Sequence, residues 1–350
     1  MGGVIFSFLD PLEKSTMSSR QPRILILLIL TLACLPLHAA EVCENPTIDN
    51  DIKPWGIVQT KEMTVKQVAV TELEGITHAI EAQIDTPDPK ASYRCGLYQT
   101  VNAFIPKDAA IKLTFKAKGT PNKQLRFNIQ TNGHPWDNTL STSDFKVTSD
   151  WKTYTFNGKA KRDYSPGGLR IYLVFGQDAG TVSVTDIHLD VDNAGLPPVG
   201  KPINANNDFK QKTTGWGYNG KLIDVQILKE DNKDFAQLTL KNVDPKKPWE
   251  HSFSQRIASP LPKDAKVKMV AIMRSPTADA KVDLYFQGKD GYKERLMLAP
   301  GIKLTDTWQT VELNGTMPKD YDANDCGIMM LMGYQDQVID IQSITVTFVE

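Results

Sequence analysis

The sequence predicts an all-β protein made of two tandem β-sandwiches, and three observations carry that expectation. The segment Ile105-Pro106-Lys107-Asp108-Ala109-Ala110-Ile111-Lys112-Leu113 returns as Leu261-Pro262-Lys263-Asp264-Ala265-Lys266-Val267-Lys268-Met269. The offset of about 156 residues is the size of a domain and too long for a solenoid period. Short runs rich in β-formers, bounded by Gly, Pro, Asn and Asp, recur along the chain, and helical periodicity is almost absent. Many of these runs alternate, as Leu125, Phe127 and Ile129 do against Arg126, Asn128 and Gln130, which is what one buried face and one wet face require.

Taken in order, the chain opens with Arg20 and Arg23 before an apolar run from Ile24 to Leu30 that continues to Leu35 and stops at Pro36. This run is too short to span a bilayer and reads as the core of a signal peptide, with Ala39-Ala40 supplying the cleavage site. Residues 1–40 are thus expected to be removed, with Met17 as an alternative start, and the protein to be secreted, extracellular or periplasmic, without an anchor. A lipoprotein would need Cys34 behind small residues, and Leu32 stands where a small residue is preferred. Residues 41–192 form the first expected domain, with strands over Val65 to Val70, Ile111 to Ala117, Leu125 to Thr131, Thr153 to Phe156, Leu169 to Phe175 and Val182 to Leu189. Residues 193–202 are rich in Pro and Gly and read as a short semi-rigid spacer. Residues 203–350 repeat the pattern with strands over Ile223 to Leu228, Ala236 to Leu240, Val267 to Met273, Val282 to Phe286, Trp308 to Leu313, Ile328 to Met332 and Val338 to Phe348.

Composition narrows the partners. The chain has 40 Lys+Arg against 41 Asp+Glu, a formal net charge of −1, so neither nucleic acid nor membrane insertion is expected. After the leader the cysteines are Cys43, Cys95 and Cys326. In an oxidising compartment Cys43 with Cys95 is the expected disulfide, two unpaired thiols being the alternative, and Cys326 reads as a buried apolar thiol.

The second half carries Asn207-Asp208-Phe209, Gly215-Trp216, Ser254-Gln255-Arg256-Ile257, Trp308-Gln309-Thr310-Val311 and Gly333. The first half has a weaker set in Asn50-Asp51-Ile52, Trp55-Gly56, Tyr98-Gln99-Thr100-Val101, Asp150-Trp151-Lys152-Thr153-Tyr154 and Asp186-Ile187. This pattern resembles the carbohydrate-binding modules of the family four, nine and twenty-two type, in tandem, over almost the whole mature chain. The resemblance implies a galactose-binding-like jelly roll in each half and a polysaccharide or glycan as partner, with a separate glycoside hydrolase beside it. Members of that group commonly hold a structural calcium. Here the corresponding places read Ile52-Lys53 with Asp186, and Phe209-Lys210 with Ser343, and a lysine offers no oxygen to the ion. No cofactor and no metal site is expected, calcium being conceivable only in the first domain.

A sugar-binding face needs flat apolar rings for pyranose C–H surfaces and planar polar groups for the hydroxyls. Trp136, in a polar turn with no apolar periodicity around it, is the leading ring candidate, followed by Tyr292 and Tyr218. Tyr93 falls on Trp249 in the repeat, so an aromatic position recurs in both halves. Arg126, Asn128 and Gln130 share a strand face, as do Tyr285 and Gln287 with Asp283, and Arg170 and Tyr172 alternate with apolar neighbours. Whether these are concave or convex faces is open from the sequence. Gln99 and Gln255 match in the repeat and are either ligand contacts or partners for backbone groups. Trp151, Trp308, Trp55 and Trp216 read chiefly as packing residues.

No catalytic constellation is evident: there is no recurring pair of carboxylates, no nucleophile elbow, and no metal or phosphate-loop spacing. The function expected is therefore non-catalytic glycan binding. A structural or protein-interaction role in the cell envelope and a sandwich-fold glycosidase or lyase are the competing classes.

Overall fold

The computed structural model describes residues 39–49, 51–58, 61–220 and 223–350. Apart from Ala39 and Ala40, the expected signal peptide lies outside the described residues, as do Met17, Cys34 and Asn50. The first half runs through β1 (Ala39–Glu41), β2 (Gly56–Val58), β3 (Met63–Ala69), β4 (His78–Ile84), β5 (Gly96–Val101) and β6 (Ala110–Gly119). It continues with β7 (Gln124–Thr131), β8 (Asn138–Ser141), β9 (Phe145–Lys146), β10 (Lys152–Lys159), β11 (Leu169–Val174) and β12 (Gly180–Asp192). The second half comprises β13 (Gly217–Asn219), β14 (Ile223–Glu230), β15 (Lys233–Leu240), β16 (Ser252–Arg256) and β17 (Lys266–Arg274). It ends with β18 (Lys281–Gln287), β19 (Arg295–Lys303), β20 (Gln309–Thr316), β21 (Gly327–Leu331) and β22 (Gln337–Phe348).

The protein is all-β, and the strands form two sandwiches. In the first, the sheet β2-β5-β11-β7-β8, with β9 on β7, faces β10-β6-β12-β4-β3, with β1 on β12. The second pairs β13-β16-β21-β18-β19 with β14-β15-β22-β17-β20. From β4 to β7 and from β10 to β12 the chain crosses from one sheet to the other at each step, so neighbours in a sheet are distant in sequence. One core draws on residues from Cys43 to Val191 and the other on residues from Ile203 to Phe348. No helix among the described residues is long and apolar enough to cross a membrane.

Alternation sets which face each side chain takes. Leu125, Phe127 and Ile129 on β7, Ile171 and Leu173 on β11, and Leu97 on β5 are wholly buried, each contributing roughly 1.5–3 kcal/mol by leaving water. Their alternates, Arg126, Asn128, Gln130, Arg170, Tyr172, Tyr98 and Thr100, must then point off the outer side of the same sheet.

Gln99 and Gln255 take up the second role considered for them, as partners of backbone groups. Both lie on the core-facing register of their strands and are nearly inaccessible. Gln99 accepts from the Glu44 backbone N–H at 2.7 Å and donates to the Glu44 carbonyl at 2.8 Å. Gln255 accepts from Asn204 Nδ2 at 2.9 Å and donates to the Ala205 carbonyl at 2.7 Å. Each glutamine clamps the segment that enters its own sandwich.

The expected Cys43–Cys95 disulfide is corrected. Cys43 is a thiol, donating to the Glu44 carbonyl at 3.8 Å. Both cysteines are buried in the core of the first sandwich. Cys326 is buried too, and burial pushes its thiol up to about 12.

Several elements exceed the sequence expectation. β4 and β5 lacked a strong signal, β4 because its core-facing set Ile80, Ala82 and Ile84 is short and interrupted by an alanine. β19 contains Pro300-Gly301, which reads as a turn. It is an edge strand, and its register against β18 slips between Val282 and Leu284 at that place, the position where an edge strand tolerates proline.

The halves belong to one compact unit. The connecting residues are pinned at both ends: Phe104 and Gly195 exchange backbone hydrogen bonds, and Gly200 N–H donates to Phe348 O at 3.0 Å. Lys201 pairs with Asp163 across the junction at 2.7 Å. Gly167, at φ +78°, lies so close to Ala258 that a Cβ there would stand 3.0 Å from the alanine methyl.

Candidate functional site

The outer face of the β2-β5-β11-β7-β8 sheet gathers most of the polar and aromatic candidates of the first half. Register puts Thr100, Arg170 and Gln130 in one row, and Tyr98, Tyr172 and Asn128 in the next. Arg126 lies opposite Val174, one row further, so Arg126 and Arg170 are about 13 Å apart along the strands. Arg170 is the centre of the face. Its guanidinium lies 4.3 Å from the Trp136 ring centroid, 4.7 Å from that of Tyr172 and 5.4 Å from that of Tyr98. Gln130, oriented with its oxygen toward Arg170, accepts from Nη2 at 2.9 Å and Nε at 3.2 Å, and its nitrogen reaches Asn138 Oδ1 at 3.3 Å. Burial moves the Arg170 guanidinium below its ordinary pKa, with Tyr172 and Tyr98 opposing the shift.

Two turns frame this face. Trp136 is exposed, in the left-handed region at φ +60°. Its loop is fixed by the buried Thr131, whose hydroxyl donates to Gly133 O at 3.1 Å and accepts from Asp137 N at 2.9 Å. Tyr93 is exposed in the 3-10 turn Pro89–Arg94, capped by Asp88. The Tyr93 carbonyl accepts from Tyr172 OH, and burial pushes the Tyr172 phenol up to about 12. Ser92 Oγ, in the same turn, accepts from Arg126 Nη2 at 3.1 Å. Gly56 is needed for the floor, since a Cβ there would fall 2.4 Å from Tyr98 Cζ. The Tyr98 ring lies across β2 only because that side chain is missing.

The second half builds a comparable face on β13-β16-β21-β18-β19, with a cleft of about 550 Å³ over it. Tyr285, Gln287, Met329, Leu331 and Ser252 form its floor, and Asn219, Trp249, Tyr292 and Arg295 its rim. Trp249, in the turn Pro248–Glu250, and Tyr292, in the turn Gly291–Lys293, are 58% and 71% exposed. They take the places that Tyr93 and Trp136 hold in the first half. Arg295 stacks on Tyr285 at 4.3 Å, so an arginine lies on a tyrosine in both faces. In the first half the arginine and the tyrosine share β11. In the second the arginine comes from β19 and the tyrosine from β18. Tyr285 OH donates to Asp283 Oδ2 at 2.5 Å, and Gly301 N–H donates to Asp283 Oδ1 at 2.7 Å. Burial would raise Asp283, yet the donors Tyr285, Tyr334 and Gly301 leave it below the usual carboxylate range.

Tyr218 is exposed but lies opposite Phe253, whose side chain enters the core, rather than opposite Ser252 or Ser254. It does not line the cleft. Sequence reasoning missed Tyr98, Thr100, Ser252, Arg295, Met329 and Leu331 as face residues. For Tyr98 and Thr100 the signal was present, since they alternate with Leu97, Gln99 and Val101. Met329 and Leu331 looked like core in the run Met329-Met330-Leu331-Met332, yet only Met330 and Met332 are buried in the core cluster.

Between the halves runs a further concavity of about 500 Å³. Tyr98, Thr100 and Asn132 line it from one side and Ser254, Arg256 and Asn324 from the other.

The remaining tryptophans pack. Trp216 stacks on Phe253 at 4.7 Å and 1°, and Trp55 is buried in the first core. Lys118 lies over Trp151 at 4.9 Å and Arg274 over Trp308 at 4.3 Å. Asp186, at the place expected of a calcium ligand, is bound by Lys116 Nζ at 2.5 Å and lies 2.9 Å from His188 Nε2, so a lysine already neutralises it. Among the described residues no cluster of three or more His, Cys, Asp or Glu side chains could hold a metal ion.

No protein-family model matches the sequence, and no curated protein matches it. Among solved structures, the N-terminal CBM22-1-CBM22-2 tandem domain of Paenibacillus barcinonensis Xyn10C is similar over 89% of this chain and 98% of its own, at 9% identity and a TM-score of 0.36. A CBM4 structure is similar over 41% of this chain and 99% of its own, at 19% identity and a TM-score of 0.34. An arabinose-bound GH51 α-L-arabinofuranosidase, MgGH51, is similar over 43% of this chain and 27% of its own, at 13% identity and a TM-score of 0.34.

Proposed function

We propose that this is a secreted, non-catalytic polysaccharide-binding protein in which residues 41–192 and 203–350 act as two modules joined by residues 193–202. The observation that carries this is the pair of exposed rings at corresponding places of each outer face, Tyr93 with Trp136 and Trp249 with Tyr292. A solvent-exposed ring of this size is an unfavourable surface that stacking on a sugar removes from water. The planar polar groups between the rings, Arg170, Gln130 and Asn128 in one half and Gln287 and Arg295 in the other, are of the kind that bind ring hydroxyls. The faces differ in residue content, so the modules differ in the glycan they prefer.

The state of Asp283, the acid of the second outer face, speaks against its serving as the general acid of a glycosidase. Glycoside hydrolysis needs a carboxylic acid that keeps its proton to protonate the leaving group, whereas Asp283 is stabilised as the anion by its hydrogen bonds. The protein then serves to capture or anchor polysaccharide for a separately encoded glycoside hydrolase. Two modules on one chain raise avidity if both engage one polymer.

Affinity electrophoresis of residues 41–350 against a polysaccharide panel tests this, with Trp136→Ala and Tyr292→Ala alongside. Retardation that either variant weakens supports the reading and identifies the working module. No retardation by any glycan would replace it with the structural or protein-binding role.

A further inference from the structure

Four of the seven arginines among the described residues lie on the two faces or in the groove that joins them: Arg126, Arg170, Arg256 and Arg295. Arg170 sits among three aromatic rings and Gln130, half-buried, and makes no salt bridge to a described carboxylate. Arg295 stacks on Tyr285 and likewise makes no salt bridge to a described carboxylate. Arg256 is exposed and donates from Nη1 only to the Asp325 backbone carbonyl at 3.2 Å. Arg126 has Asp144 at 3.9 Å, beyond hydrogen-bond reach, and its buried Nε has no hydrogen-bond partner. Asp283, the acid nearest Tyr285, is engaged by Tyr285 and Gly301. Arg274, by contrast, on the opposite sheet of the second sandwich, is paired with both Glu230 and Asp340 at 2.9 Å. Half-burying a guanidinium without an anion is costly unless an anion arrives.

We propose that the ligand is an acidic polysaccharide bearing uronate carboxylates, and that these arginines are its carboxylate sites. This rests on the glycan-binding reading and names its substrate class. The guanidinium is a planar fork that fits a carboxylate with two parallel hydrogen bonds. Stacking on tyrosine and tryptophan holds the forks of Arg170 and Arg295 in orientation before a ligand arrives, which reduces the ordering cost of binding. Along β11 the rows of Arg126 and Arg170 are about 13 Å apart. Arg256 and Arg295 share a row of the second sheet through Gly327 and Gln287, about 14 Å apart at the inter-strand spacing. Sites spaced this widely engage several carboxylates of one polymer and bind a single sugar acid weakly.

The test uses residues 41–350 with polygalacturonate and alginate, each also in carboxyl-reduced form, with neutral glucan, xylan and mannan, and with polyphosphate. The expected result is retention by at least one uronate polymer, at least about ten-fold weaker after carboxyl reduction, and weakened again by Arg170→Gln or Arg295→Gln. Circular dichroism of each variant checks that it has folded. Retention by neutral or reduced polymers equal to that by the uronates overturns the acidic ligand and keeps glycan binding. Equal retention by polyphosphate assigns the effect to unspecific anion attraction and overturns it as well. Failure of every polymer to bind overturns both readings.

Discussion

The Arg170 guanidinium lies 4.3 Å from the Trp136 ring centroid, joining the middle of the first outer face to the turn at its end. The ring thus has a cation on one side and solvent on the other, and a sugar stacking there would meet a surface already fixed in place. A cation–π contact of this kind contributes roughly 0.5–2 kcal/mol, depending on how far it is desolvated. Trp136→Ala is expected to weaken polysaccharide binding by at least about ten-fold, while Trp136→Phe keeps most of it. Calorimetric titration of both variants checks this. Equal loss in the two would show that the indole, rather than a flat ring, is what the ligand needs.

Gln99 and Gln255 make the same clamp in both halves, and neither face depends on them directly. Gln99→Leu leaves the Glu44 N–H and carbonyl without their partner, and Gln255→Leu does the same to Ala205 O and Asn204. Each substitution should cost about 1–3 kcal/mol for the orphaned polar groups, read as a lowered midpoint in urea. Affinity measured well below that midpoint should not change. A loss of affinity at unchanged stability would return the glutamines to the ligand-binding set.

The architecture was legible because sandwich strands advertise one buried face by period-two alternation, as Leu125, Phe127 and Ile129 do. The face residues were half legible for the same reason. Parity along β7 and β11 places Arg126, Asn128, Gln130, Arg170 and Tyr172 on one side, but only the pairing of Tyr172 with Asn128 and Tyr98 shows that they share one surface. Strands 97–101 and 169–174 are far apart in sequence, and nothing local encodes that register. Gln99 misled because a glutamine in a strand looks alike whether it serves a ligand or a buried backbone. Arg295 was missed because Pro300-Gly301 disguised β19.

Lys123 shows how tightly the first half is tied behind its outer face. Its side chain is wholly buried, and Nζ donates to Phe175 O at 2.8 Å, to Asp178 Oδ1 at 2.6 Å and to Asp178 O. Asp178 also accepts from the Gln124 N–H at 3.0 Å, at the start of β7. Asp178→Ala strands the ammonium and should destabilise the protein by about 3–5 kcal/mol. Lys123→Met should cost less, because Asp178 is partly solvated and methionine fills the space. Thermal denaturation of the two variants compares them, and a larger loss for Lys123→Met would mean that packing, not charge, dominates there.

His188 links the entering strand to the sandwich and makes that link sensitive to pH. Its Nδ1 is 2.6 Å from Glu41 Oε2 on β1, and its Nε2 is 2.9 Å from Asp186 Oδ1. Burial alone would lower the imidazole pKa, but the hydrogen bonds and charges of Asp186 and Glu41 raise it above its ordinary value. A group whose folded pKa is raised contributes its full stabilisation below the unfolded value of about 6.5 and loses it as pH rises through the folded value. Asp186 runs the other way. Burial would raise it, but Lys116 and His188 hold it below the usual range, so its contribution is lost only in acid, as pH falls through the folded value. The His188 side chain is 35% exposed, and solvent screening keeps the effect small. The advantage of the native protein over His188→Gln in thermal midpoint should therefore be larger at about pH 6 than at about pH 8.5. A gap that is constant or grows across that interval would show that the charge of the imidazole does not hold β1, whose Glu41 also accepts from the Leu189 N–H at 3.0 Å.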